Sequence, residues 1–108
     1  MKVDIPKLIL IFDILYDDTE ESRAEGRYWL IAKRSDGMSI SLLFSIYELN
    51  VRTSVTSHSG KCLMSLNFDR CKEIKILDEK KKCLEIIPAH ERERCLLSLS
   101  GNPILEYK

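Results

Sequence analysis

Residues 27–46 read RYWLIAKRSDGMSISLLFSI, and this stretch decides the fold. Two runs rich in β-branched and aromatic residues flank the Asp36-Gly37 pair at its centre. Because glycine tolerates a positive φ, an Asp-Gly pair between two apolar runs favours a two-residue hairpin turn. That turn places Trp29 opposite Phe44 across the two strands. The stretch therefore predicts an antiparallel hairpin.

The chain beyond this hairpin keeps alternating between apolar and polar residues. The phase of the alternation changes by one residue after Tyr47, which indicates a β-bulge or a bend inside one long strand. Strand candidates then recur about every ten residues, as in all-β sandwiches and barrels. We therefore predict an all-β or β-dominated α+β domain, a small antiparallel barrel or sandwich of about seven to eight strands. The later candidates are residues 62–68, 74–77, 83–87, 95–99 and 104–107.

Two segments have helical features. Residues 89–99 are followed by Ser100-Gly101 and Pro103, which form an acceptable helix stop, so this segment is either a strand or a helix. A short helix also fits residues 19–24, inside a polar stretch that otherwise indicates a loop.

The composition is that of one ordinary globular domain. The chain has 108 residues, of which 44% are hydrophobic and 31% charged, with 17 basic and 17 acidic side chains. We expect residues 1–108 to form a single β-rich domain, either complete or cut from a longer protein. The most apolar run, residues 8–12, is far shorter than the roughly 20 residues of a membrane span, so we expect no membrane association. The cysteines have no paired spacing, which indicates reduced thiols in the cytoplasm or nucleus.

The sequence shows no set of residues with catalytic or metal-binding spacing. Structural zinc sites take their ligands in close pairs, whereas the four cysteines are separated by eight, eleven and eleven residues. His58 and His90 lie in predicted loops, and no strand–turn–helix elbow surrounds a serine. We therefore predict that the protein is not an enzyme and uses no metal and no cofactor.

Single-stranded nucleic-acid binding by a small β-barrel is the alternative function. Such barrels combine a basic groove with aromatic side chains on which bases stack. Here the basic runs adjoin acidic residues and the net charge is zero, which disfavours this alternative. Its candidate residues are Tyr28, Trp29, Tyr47, Tyr107, Lys33, Arg34, Lys80, Lys81, Lys82, Arg92 and Arg94.

The polar run at residues 78–82 predicts a second hairpin. Matching the apolar faces of its two strands sets Ile74 opposite Ile86, and it sets Ile76 opposite Leu84. The same register pairs Lys75 with Glu85 and Leu77 with Cys83 on the other face.

The C-terminal strands have apolar residues on both faces, and the functional prediction rests on this pattern. A contiguous group of exposed apolar residues needs a cover, which is a second layer of this chain, a second copy, or a partner protein. We predict a protein–protein interaction module, a subunit or domain of an intracellular assembly. Addition of a partner strand to an open sheet edge is the alternative binding mode. The predicted partner-binding residues are Leu77, Cys83, Ile87 and Leu96.

Overall fold

The computed structural model describes residues 1–15, 19–89 and 94–107, which form two five-stranded sheets and two short helices. The predicted β-dominated fold is confirmed. The described residues form more strands than predicted for two reasons. The predicted long strand is two strands, residues 39–45 and 51–56, and the strand at residues 2–3 is too short to show alternation. In chain order the elements are β1 (Lys2–Val3), α1 (Ile5–Phe12), β2 (Ile14–Leu15), α2 (Glu20–Ala24), β3 (Arg27–Lys33), β4 (Ser39–Ser45), β5 (Val51–Thr56), β6 (Cys62–Phe68), β7 (Cys71–Asp78), β8 (Cys83–Pro88), β9 (Cys95–Ser98) and β10 (Leu105–Tyr107).

The strands form two meanders, and β1 adds to the edge of one of them. Sheet I has the order β1-β7-β8-β9-β10, and sheet II has the order β2-β3-β4-β5-β6. All described pairings are antiparallel except that of β1 with β7, which is parallel. Buried side chains from both sheets and from α1 form one hydrophobic cluster, so the inner faces of the sheets share a core. None of the described helices is long and apolar enough to cross a lipid bilayer.

The loop of the β3–β4 hairpin has three residues, one more than predicted. The Arg34 N–H donates to the Met38 carbonyl at 2.8 Å, and the Gly37 N–H donates to the Arg34 carbonyl at 3.1 Å. Of the loop residues, Gly37 alone has a positive φ, 88°, whereas the predicted turn needs two such residues. The Asp36 carboxylate instead accepts a hydrogen bond from the Met38 N–H at 3.0 Å.

This longer loop shifts the register of the hairpin by one residue. The predicted pair of Trp29 with Phe44 is wrong, because Trp29 lies opposite Leu43. Phe44 lies opposite Tyr28, and the two rings stack with their centroids 5.3 Å apart.

The predicted long strand with a bulge near Tyr47 is also wrong. The chain turns back after Ser45, and β5 pairs antiparallel with β4. The Leu49 N–H donates to the Ser45 carbonyl at 2.9 Å, and Leu49 has a φ of 62°. The positive φ of this turn is taken by a leucine, so the sequence carries no Gly or Pro signal for it.

Helix α1 was not predicted, because its sequence is apolar around most of its circumference. The Asp4 carboxylate accepts from the Lys7 N–H at 3.2 Å and caps the helix at its start. The helix ends at Asp13, whose φ of 73° is left-handed. Its buried residues follow helical spacing and join the core: Leu8, Ile11 and Phe12.

Helix α2 confirms the short helix predicted at residues 19–24. The Thr19 hydroxyl accepts from the Ser22 N–H at 3.1 Å, as an N-cap residue does. In the segment 89–99, residues 95–98 form β9, and residues 90–93 lie outside the described part of the chain.

Candidate functional site

Sheet I has an outer face that points away from the core. Along β7, β8 and β9, buried side chains such as Ile74, Leu84 and Leu97 alternate with less buried ones. Cross-strand partners in a sheet lie on the same face, so the register assigns the less buried set to one surface. From the register, the outer face of sheet I comprises Glu73, Lys75, Asp78, Cys83, Glu85, Ile87, Leu96, Ser98 and Glu106. We include Leu77 in this face because it lines a depression together with Cys83 and Leu96.

The structure brings three of the four predicted partner-binding residues together. Leu77, Cys83 and Leu96 line one depression of about 240 Å³ on this face, with Pro103 in its wall. Leu77 is 48% exposed, and Cys83 and Leu96 are half-buried. Ile87 lies on the same face, opposite Glu73, but it does not line the depression.

A β-bulge aims Leu77 toward this depression. The predicted pairing of Lys75 with Glu85 is confirmed, as are those of the two inner pairs on the same strands. The predicted pairing of Leu77 with Cys83 is wrong, because the register shifts after Ile76 and Asp78 lies opposite Cys83. The extra residue in β7 leaves Leu77 without a direct cross-strand partner, which is how bulges reorient side chains beside binding sites.

Charged residues lie beside the depression, and one of them, Glu106, lines it. The Glu85 side chain is only 13% exposed, and the Arg94 guanidinium donates to its carboxylate at 3.3 Å. Lys75 lies opposite Glu85 on the neighbouring strand. Leu96 lies between Glu85 and Glu106 in the cross-strand register. An apolar centre with a polar frame is the usual anatomy of a protein interface.

The wall of the depression is held in place from sheet II by Arg34. This side chain is 7% exposed. Its Nη1 donates to the carbonyls of Leu99 at 3.1 Å and Gly101 at 3.0 Å, while its Nε donates to the Asp36 carboxylate at 3.1 Å. The segment it holds leads directly into Pro103. Sequence reasoning grouped Arg34 with the surface cations and missed this role, since nothing local indicates a contact 65 residues away.

The thiols divide into buried and accessible groups. Burial raises the pKa of Cys95 to about 11 and also raises the pKa of Cys71, so both stay protonated at neutral pH. Cys62 is exposed on β6, and Cys83 is half-buried in the depression. In the part of the chain that the structure describes, no three His, Cys, Asp or Glu side chains converge as metal ligands, and His90 lies outside that part.

The residues of the nucleic-acid alternative converge only in part. Lys33, Arg34, Lys80 and Lys82 line a second depression, where the Lys82 ammonium lies 3.2 Å from the Asp13 carboxylate. Among the described residues, no aromatic side chain lines it. The ring of Tyr28 stacks on Phe44 instead, and Tyr47 lies exposed in the β4–β5 turn. Arg92 and the Tyr107 side chain lie outside the described part.

Comparison with known proteins gives one informative likeness. No protein-family model and no curated protein matches the chain at a significant level. Among solved structures, it is similar to a chain of a contact-dependent growth inhibition toxin–immunity protein complex from Klebsiella pneumoniae 342. The two chains share a fold. The TM-score is 0.73 over 99% of this chain and 93% of that chain, at 14% sequence identity. At this identity the likeness establishes the fold alone.

Proposed function

We propose that this chain is a non-catalytic protein-binding module whose partner packs on the outer face of sheet I. The observation that carries the proposal is the depression lined by Leu77, Cys83 and Leu96. Burying a whole leucine side chain contributes about 1.5–3 kcal/mol, so covering the exposed half of Leu77 contributes about 1 kcal/mol to binding. Glu85 is already paired with Arg94 within the chain, so a partner does not have to neutralise Glu85 on docking.

We further propose that the partner is a toxin domain and that this chain acts as its immunity protein. Two observations support this assignment. The fold is that of a chain from a complex named for a toxin and its immunity protein. The depression lined by Leu77, Cys83 and Leu96 has a mainly apolar lining, which suits packing against a protein, and a bound protein can block the active surface of a toxin. The proposal includes an intracellular location, cytoplasmic or nuclear, where the four free thiols stay reduced.

A thiol footprint tests this proposal on the unmodified chain. The partner is captured by affinity purification from native cells, identified by mass spectrometry, produced pure and mixed with the chain at low micromolar concentration. We expect bound partner to slow alkylation of Cys83, which lines the depression, and to leave exposed Cys62 reactive. Protection of Cys62 with Cys83 unprotected would contradict the proposed face and would favour strand addition at β6.

Binding of single-stranded nucleic acid is the second candidate, and the basic depression at Lys33, Lys80 and Lys82 favours it. Contacts from these cations to phosphates release counterions, so affinity would fall steeply with salt. Fluorescence anisotropy with labelled oligonucleotides at near-physiological salt tests this candidate. We expect no specific binding. Micromolar binding that is lost when Lys80 and Lys82 are changed to Glu would favour nucleic acid over protein.

A further inference from the structure

Strand β6 is a long, unprotected sheet edge. It has seven residues and forms one edge of sheet II. The other three edges are β1, β2 and β10, which have two, two and three residues. Long edges expose a row of backbone donors and acceptors, and proteins usually block them with charged residues or proline. In contrast, residues 62–67 read CLMSLN and contain no charged residue and no proline.

The side chains of this edge are exposed and largely apolar. Leu63 is 54% exposed and Met64 is 45% exposed, and both belong to the small set of large hydrophobic residues that the described surface exposes. Met64 and Leu66 lie on the core side of sheet II, because they pair with Val55 and Thr53. A strand added at this edge would therefore extend both the hydrogen-bond ladder and the apolar inner surface.

Opposite charges flank the neutral segment. Lys61 precedes β6 and Asp69 follows it. Within the described residues, neither side chain forms an ion pair. The segment is thus self-complementary, since reversing its direction exchanges the cation with the anion and Met64 with Leu66.

We infer that β6 pairs antiparallel with β6 of a second copy, about a two-fold axis at Ser65. In this register Ser65 lies opposite its own symmetry mate, and Met64 lies opposite Leu66 of the other copy. Each Lys61 then lies opposite an Asp69. A two-fold axis perpendicular to the sheet keeps both inner faces on the same side, so the two copies of sheet II join into one continuous sheet.

The same geometry sets the strength of the dimer. One pair of edge strands buries far less surface than a standard stable interface. The inference therefore requires a weak dimer, with a dissociation constant on the order of micromolar or higher. This junction lies on sheet II, so its failure would leave the proposed partner face on sheet I untouched.

Charge reversal at the flanking pair tests the register. Lys61→Asp places two carboxylates opposite each other at both ends of the junction, and like charges directly opposite destabilise a strand pair. Analytical ultracentrifugation across a concentration series should show at least a ten-fold weaker dimer. Adding Asp69→Lys restores opposite charges and should restore the dimer. Failure of the double variant to regain dimerisation would overturn this register.

Disulfide trapping gives a second, independent readout. In a Cys62→Ser background, Ser65→Cys places two thiols at the axis, where mild oxidation should yield a covalent dimer on a non-reducing gel. The matched control is Asn67→Cys, whose two copies lie about 13 Å apart along the strands, beyond the reach of a disulfide. Equal cross-linking at both positions, or a monomer at several hundred micromolar, would refute the dimer. If the chain is monomeric, the edge at β6 would instead be open to pairing with a strand of another protein.

Discussion

Arg34→Lys is expected to destabilise the domain strongly although it preserves the charge. The Arg34 guanidinium bonds two backbone carbonyls and the Asp36 carboxylate at once, from a nearly buried position. A lysine ammonium cannot span these acceptors, because its donors radiate from one atom rather than from a planar fork. We expect at least one carbonyl, of Leu99 or Gly101, to lose its partner.

The structure sets the size of this effect. A hydrogen bond to a charged group contributes about 1.5–3 kcal/mol, and part of the loss is recovered where water enters. We therefore expect the free energy of unfolding to fall by about 2–4 kcal/mol. For a domain of about 100 residues this lowers the melting temperature by roughly 8–16 °C.

Thermal and urea denaturation followed by circular dichroism would measure the change. Arg27→Lys is the matched control, because the ion pair of Arg27 with Glu25 is exposed and its loss should change stability by less than about 1 kcal/mol. Amide hydrogen exchange should also accelerate at residues 99–105 in the Arg34 variant, since the wall of the depression loses its anchor. If Arg34→Lys had the same melting temperature as the wild type, Arg34 would not hold the wall of the depression in place.

Three further predictions concern the backbone and the buried thiols. Gly26→Ala should lower the free energy of unfolding more than Gly60→Ala does, although both glycines have a positive φ. At Gly26 the new Cβ would lie 2.7 Å from Ile46 Cγ1, whereas at Gly60 no atom lies within 4 Å of it. Equal costs in urea denaturation would disprove the clash. Gly37→Val should destabilise by at least about 1–2 kcal/mol, because a β-branched residue resists the φ of 88°, and an unchanged melting temperature would contradict this. The free energy of unfolding should fall as pH rises from about 9 to 11, because the Cys95 thiol ionises near its ordinary pKa in the unfolded chain, whereas burial raises its pKa to about 11 in the folded chain. Cys95 should contribute at most about 1.4 kcal/mol per pH unit to this fall. A Cys95→Ala variant should lose part of that slope in urea titrations at pH 8, 9 and 10.5, and an identical slope would show that Cys95 does not cause it.

The sequence predicts the sheets wherever apolar and polar residues alternate clearly along a strand. The pairing of Ile74 with Ile86 followed from matching apolar faces, and the assignment of Leu77 and Leu96 to the outer face followed from the same parity. A period of two residues fixes which side of a strand a residue occupies, so this much of the candidate site was readable.

What could not be predicted depends on backbone conformations and distant contacts that leave no local signal. Leu49 takes a positive φ in the β4–β5 turn without a glycine. Helix α1 is so apolar that its period of 3.6 residues is hidden, and only packing against the core selects Leu8 as buried and Leu10 as exposed. The wall of the depression requires Arg34 to reach across to the other sheet, which no spacing rule encodes.

The most direct test of the central claim is the affinity of the captured partner for two leucine variants, measured by isothermal titration calorimetry. Leu77→Glu places a charge in the proposed interface, whereas Leu10→Glu places the same charge on the more exposed surface of α1. Both variants should stay folded, because each leucine is substantially exposed. A second interface variant, Leu96→Lys, is preferable to Leu96→Glu because Glu85 and Glu106 flank this position. We predict that Leu77→Glu weakens binding at least a hundred-fold, as burial of an unpaired charge costs about 3–5 kcal/mol, while Leu10→Glu binds like the wild type. Equal affinity for the wild type and folded Leu77→Glu would contradict the account.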